Sequence, residues 1–233
     1  YPETLNEILA ADKVSRLGFE SKDLLYADYE DLKENLRVEE LVPVANEITA
    51  MRRIKTPREL EYIKQAEAIG DKVFTEILDF IKPGMTELEV AARIEYLLKV
   101  YGGQGLSFPA IVASGINSSM PHAVPSYKKI EKGDFVTMDF GCVYEGYCSD
   151  MTRTIVIGKA SDEQKKIYNL VLKAQLAALD FIKAGYKGNE IDKVARDIIY
   201  GAGYEGCFGH GLGHSVGLNV HENPRLSMLE EDI

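Results

Sequence analysis

Histidine is scarce in this chain: among 233 residues there are four, and they fall in two short places, His122 alone and then His210, His214 and His221. An imidazole titrates near neutrality and serves as metal ligand, proton donor or proton acceptor, and a metal or acid–base site is what gathers such residues. His210-Gly211-Leu212-Gly213-His214 has the spacing of a helical ligand pair. Two glycines in the spacer disfavour helix, however, and the glutamate of the zincin pattern is missing. On an extended backbone these histidines could approach a metal or substrate from one wall of a cleft. Solvated loop histidines are the plainer alternative. His122 stands in Met120-Pro121-His122-Ala123-Val124-Pro125-Ser126. The flanking prolines stiffen the backbone, which suits a catalytic acid and equally an inert loop.

Two carboxylates join these histidines as candidates. Asp139 lies in the strand-like run Phe135 to Phe140, where an ionised group is costly unless something positive compensates for it. Asp150 lies in the next such run, Tyr147 to Ile157. A reversal centred on Tyr144-Glu145 pairs positions whose numbers sum to 289, and 139 plus 150 is 289. The spacing therefore predicts the two carboxylates face to face, with Cβ atoms about 5 Å apart. They would repel unless one is protonated or cations sit between them, and a dinuclear site with ions roughly 3.5–4 Å apart fits. The structural alternative is an Asp150–Arg153 salt bridge with Asp139 at a turn.

Helices must position these groups. Thr56-Pro57-Arg58-Glu59 combines an N-cap, a first-turn proline and a capping-box glutamate, and Leu60, Ile63, Ile69, Val73, Ile77 and Phe80 then keep helical spacing as far as Pro83-Gly84. A second helix is predicted from Thr86, boxed by Glu89, with Leu88, Ala91, Ile94 and Leu98 on its apolar face and a stop at Gly102-Gly103. The arrangement recurs from Ser161 and Gln164, through Ile167, Leu170, Val171, Ala174 and Phe181, to Gly185. Leu78-Asp79-Phe80-Ile81-Lys82-Pro83-Gly84 matches Leu179-Asp180-Phe181-Ile182-Lys183-Ala184-Gly185 at six of seven positions, an offset of 101 (179 minus 78). A duplicated half-domain is predicted, its pairs Leu78 to Leu98 and Leu179 to Ile199 equivalent on one continuous sheet. A common helix stop signal is the plainer reading. Before residue 50, helices at Glu3–Ser15 and Tyr29–Leu36 and a strand at Asp23–Tyr26 are predicted, with too little apolar surface for a core of their own.

Composition narrows the function. Hydrophobic residues are 45% and charged residues 27% of the chain, which fits a globular protein and excludes a disordered one. A net charge of −10 opposes a polyanionic partner, so nucleic acid is not expected. There is no apolar run of membrane-spanning length, and Tyr1 to Ala10 lacks the pattern of a signal peptide. Cys142, Cys148 and Cys207 show no Cys-x-x-Cys spacing and read as reduced thiols, which points to the cytoplasm. Gly102-Gly103-Gln104-Gly105 has neither the spacing nor the lysine of a phosphate loop.

Taken in order, Pro121-His122-Ala123, Gly133-Asp134, Asp139-Phe140-Gly141, Gly146-Tyr147, Ser149-Asp150-Met151-Thr152-Arg153-Thr154, His210-Gly211-x-Gly213-His214 and His221-Glu222-x-Pro224 resemble the pita-bread metallopeptidase family. The resemblance covers about residues 50 to 233. It implies an α+β pita-bread fold, two pseudo-symmetric halves of a helix pair plus antiparallel strands around a central metal site. Residues 1–50 would be the C-terminal remnant of a creatinase-like N-terminal domain, and 51–233 a catalytic domain lacking its C-terminal portion. The resemblance makes Asp139, Asp150 and His214 metal ligands, and makes His122 and His221 the histidines that contact substrate and stabilise the tetrahedral intermediate. His210, as a substrate-binding residue, resembles the prolidase and aminopeptidase P branch, whose substrates carry proline in the second position. The implied chemistry is hydrolysis by a hydroxide shared between two divalent ions, manganese by preference over cobalt or zinc because the ligands are rich in carboxylate. A homodimer with no membrane or nucleic-acid partner is expected. The family's two further glutamate ligands fall downstream of His-Glu-x-Pro and are not assigned to Glu230 or Glu231, so the chain is expected to be truncated and inactive by itself. A metal-free scaffold or peptide-binding module, and creatinase-like amidinohydrolysis, are the competing functions.

Overall fold

The structure, a computed structural model, describes residues 2–231. The chain divides into two compact units, Tyr1–Ile54 and Lys55–Ile233. The first contains helix α1 (Pro2–Ala11), strand β1 (Arg16–Phe19), α2 (Tyr26–Asn35), β2 (Glu40–Pro43) and α3 (Asn46–Met51). β1 and β2 are parallel, with Leu17 opposite Leu41, and α2 makes the crossover between them. The strand predicted at Asp23–Tyr26 is thus displaced to Arg16–Phe19. Short apolar runs do not distinguish strand from helix by periodicity, and Leu17 has a pairing partner in β2 whereas Tyr26 opens α2.

In the second unit, α4 (Pro57–Phe80) and α5 (Glu87–Val100) begin where their capping boxes place them. Thr56 and Glu59 exchange both cap hydrogen bonds, as do Thr86 and Glu89. Then follow β3 (Gly105–Leu106), β4 (Ile111–Ser114), a 3-10 turn at Gly115–Ser119, β5 (Phe135–Phe140), β6 (Cys142–Tyr144), β7 (Tyr147–Cys148) and β8 (Met151–Val156). The strands form two antiparallel three-stranded sheets, β4-β5-β8 and β3-β6-β7. Val136, Met138 and Phe140, alternating along β5, are fully buried and meet Val73 and Ile77 of α4 and Ile94 and Leu98 of α5 in the main core. Leu60 and Leu88, predicted for the apolar faces, are instead exposed.

A second helix pair follows, α6 (Asp162–Phe181) and α7 (Gly188–Gly201), and then β9 (Gly213–Ser215) and β10 (Glu222–Leu226), which pair antiparallel. The offset of 101 maps the end of α4 onto the end of α6, and α5 onto α7 at both ends. Gly84 and Gly185, just beyond the first helix of each pair, both hold positive φ, 93° and 95°. The expected continuous sheet is not found among the described residues. α6 and α7 close over a small core of their own, built on Ala174, Ala178, Ile191 and Ala195, while Val171 is exposed. No helix among the described residues is long and apolar enough to cross a membrane.

Candidate functional site

β5 turns its apolar residues to the core, so Asp139 occupies the opposite, half-buried face. Its ladder partner is Thr152, and Phe140 faces Met151. The predicted register, with Asp150 directly opposite, is therefore wrong by two positions. The reversal centres on Glu145-Gly146, whose φ values of 49° and 83° are both positive, as a two-residue hairpin turn of the primed type requires. Asp150 comes two residues before Thr152, and residues two apart on a strand share a face. The carboxylates are consequently diagonal neighbours, close enough to share a proton in a hydrogen bond. Gly141 permits the approach: a Cβ there would overlap the Ser149 carbonyl.

Burial first, and then the charge of Asp150, push the Asp139 carboxyl up to about 6. Its Oδ1 is buried with no hydrogen-bond partner among the described residues. Asp150 has its backbone N–H bound to Glu67 Oε1 of α4 at 3.2 Å, and its Oδ2 lies 3.3 Å from His214 Nε2 on β9. Arg153, the alternative partner suggested by sequence, pairs with Asp71 at 3.8 Å and donates to the Thr152 carbonyl. The hydrogen bond to Asp150 raises the His214 pKa above its ordinary value, against burial. His221 stacks edge-on against His214 with ring centroids 4.4 Å apart; burial, followed by the charge of His214, lowers its pKa. His122 is exposed, yet its charge reaches His221. Among the described residues, no hydrogen bond or ring contact joins His122 to His221.

His210 stands apart. Its Nδ1 contacts the Gly211 carbonyl at 2.7 Å, and its ring meets Phe208 edge-on at 5.1 Å. Among the described residues it has no hydrogen bond to the other five candidates. A buried ion pair on α7 holds its backbone in place: Asp192 accepts from Arg196 Nε at 2.7 Å, and Arg196 donates to the carbonyls of Phe208 and His210 at 2.6 and 2.8 Å. A second, partly buried pair, Lys55 Nζ to Glu222 Oε2 at 3.0 Å, holds the residue after His221. Sequence reasoning missed Glu67, Lys55, Asp192 and Arg196. An acid and a base four apart on a helix usually mark a solvated face, and nothing local distinguishes the buried pair from that case.

The donors suit a divalent cation. If His214 Nδ1–H donates to the Ser215 carbonyl at 3.1 Å, the neutral ring points its Nε2 lone pair at the Asp150 carboxylate, two acceptors at 3.3 Å. That contact, the crowded carboxylates and the partnerless Asp139 Oδ1 share one deficit, positive charge, which a proton or a metal ion supplies. Carboxylate and imidazole donors, with the second imidazole nitrogen anchored on a carbonyl, are the usual equipment of such sites. Among the described residues, no three His, Cys, Asp or Glu side chains already stand as a metal-holding cluster.

Comparison with known proteins decides the family. The model of metallopeptidase family M24 matches residues 61–232, and that of the creatinase/prolidase N-terminal domain matches 1–54. This chain belongs to the metallopeptidase family M24. The M24 chain is 43% identical over 226 residues to the uncharacterized peptidase YqhT of Bacillus subtilis, covering 97% of this chain and 64% of that protein. It is likewise 43% identical to the Xaa-Pro dipeptidase of Pyrococcus horikoshii, covering 96% and 64% of the respective lengths. Among solved structures, the Xaa-Pro dipeptidase from Bacillus anthracis superposes with a TM-score of 0.95 at 43% identity, covering 100% of this chain and 65% of that one. The X-Pro aminopeptidase from Thermotoga maritima gives 0.94 at 38%, covering 99% and 66%. The M24 chain has the pita-bread fold of these peptidases and spans about 64% of the length of the curated relatives it matches.

Proposed function

We propose that this M24 chain forms the larger part of a metal-dependent exopeptidase that hydrolyses Xaa-Pro bonds, in dipeptides or at peptide N-termini. The observation that carries the reading is the pairing of a buried, partnerless Asp139 Oδ1 with an Asp150 carboxylate that faces His214 Nε2. Asp139, Asp150 and His214 would hold divalent ions, manganese in preference to cobalt or zinc because two of the three donors are carboxylates. Two such ions, when bound, polarise the scissile carbonyl and lower the pKa of the attacking water.

The chain's own residues supply positioning and hydrogen bonds. Glu67 fixes the backbone of Asp150, and the Ser215 carbonyl orients the His214 ring. His221 and His122 donate ring N–H groups to the oxygen that gains charge as the carbonyl becomes tetrahedral. The Lys55–Glu222 pair anchors the turn beside His221. His210 binds the substrate away from the reacting bond, on the segment that Arg196 secures. Residues 1–50 are read as the end of a creatinase-like N-terminal domain, and 51–233 as catalytic. A homodimer in the cytoplasm completes the reading, supported for location by three unpaired cysteines.

The test compares Ala-Pro hydrolysis and bound manganese in the protein at the full length of its relatives with those of Asp139→Asn and Asp150→Asn. Each variant should lose metal, and activity should fall by about a hundredfold or more. Full activity with undiminished metal in either variant overturns the ligand assignment.

A further inference from the structure

Glu87 is fully buried, although it sits in the first turn of α5. The helix does not need its side chain, because Thr86 and Glu89 already cap that end. Both of its oxygens instead reach the ends of the segment that carries His122. Oε1 accepts from Ser114 N at 2.7 Å, Ser114 Oγ at 3.0 Å and Asn117 Nδ2 at 3.1 Å. Oε2 accepts from Ser126 Oγ at 2.6 Å, Ser126 N at 3.1 Å and Asn117 Nδ2 at 3.3 Å. Lys128 occupies the acceptor side of both hydroxyls, through Nζ to Ser114 Oγ at 2.9 Å and through its backbone N to Ser126 Oγ at 3.1 Å. Every group facing Glu87 is therefore a donor, and only a group with two acceptor oxygens completes the network.

The segment's large apolar side chains do little to hold it. Ile116 is 83% exposed, Val124 81% and Met120 49%, which leaves Ala123 as its buried apolar anchor. Burying a carboxylate is costly unless hydrogen bonds replace its water. Here those bonds tie both ends of one loop to one side chain. We propose that Glu87 is a positioning residue that holds the 115–125 loop closed and thereby keeps His122 at the reacting carbonyl. This rests on the reading of His122 as a donor to that oxygen. The second half has a parallel, since Asp192 with Arg196 on α7 secures the backbone of His210.

The test is a double-mutant cycle in the full-length, manganese-loaded protein, with Glu87→Gln and His122→Ala alone and together. Glutamine places an N–H₂ among donors, so kcat for Ala-Pro should fall by about tenfold or more, with KM and bound metal changed far less. In the His122→Ala background the same substitution should cost less than about twofold, because the group through which it acts is gone. Amide hydrogen exchange should rise over residues 115–125 and stay unchanged in α4. Equal losses in both backgrounds, or exchange unchanged in the loop, overturn the inference. Should His122→Ala keep full activity, the role given to His122 falls, and loop exchange alone then decides whether Glu87 is the clamp. If Glu87→Gln does not fold, Ser126→Ala carries the same measurements and should shift them in the same direction by less.

Discussion

At the scale of one residue, Glu59 shows how a surface carboxylate becomes specific. It accepts the Thr56 backbone N–H at 2.6 Å and the Tyr147 hydroxyl at 2.8 Å, so it ties the start of α4 to β7. Those bonds, the Thr56 backbone first, lower its pKa from the ordinary 4.5 to about 2. A depressed carboxyl adds stability above its unfolded pKa and loses it as pH falls through the folded value. Wild type should therefore be more stable than Glu59→Gln at pH 6, and the gap should close between about pH 4.5 and pH 2. Thermal melts of both proteins across that range check it, and a gap that widens on acidification refutes it. The Thr56–Glu59 box was legible in sequence, because N-cap and N3 are read from spacing alone. The bond to Tyr147 was not, since it joins residues far apart in the chain.

At the scale of elements, helices were readable and strand register was not. Capping boxes and a 3.6-residue period marked α4, α5 and α6. The hairpin was misplaced because Glu145 takes the left-handed position that Asn or Asp usually fills, so the turn seemed to centre one residue earlier. A two-position error still leaves Asp139 and Asp150 on one face, since strand side chains repeat with period two. The two carboxylates thus stay neighbours despite a wrong register. Buried charge was the other blind spot. Asp192 and Arg196 look like an exposed helical pair, yet their side chains are 0% and 7% exposed. Removing one partner strands the other, so Asp192→Ala should destabilise the protein by roughly 3 kcal/mol or more. Urea denaturation measures it. A loss below about 1 kcal/mol would place the pair with ordinary surface pairs and remove its hold on the His210 segment.

At the scale of the molecule, the two halves share an outline and differ in filling. The offset of 101 that aligns the helix ends also sets buried Gly70 against exposed Val171. Gly70 lets Met151 and Phe140 of the sheet approach α4, whereas α6 leaves Val171, Leu176 and Leu179 exposed. The site inherits the same imbalance. On the proposed reading, Asp139, Asp150 and His214 would offer two negative charges against four positive charges for a pair of divalent ions, and a second ion held by so few donors would bind weakly. Residues 1–233 alone should therefore retain at most one manganese ion per chain and hydrolyse Ala-Pro negligibly. The protein at the full length of its relatives should hold two ions and cleave the dipeptide. Metal analysis after gel filtration and a proline-release assay on both lengths give the comparison. If the shorter chain matches the longer in ions and in turnover, the donors named here suffice by themselves, and the dinuclear reading of the site must be rebuilt around them.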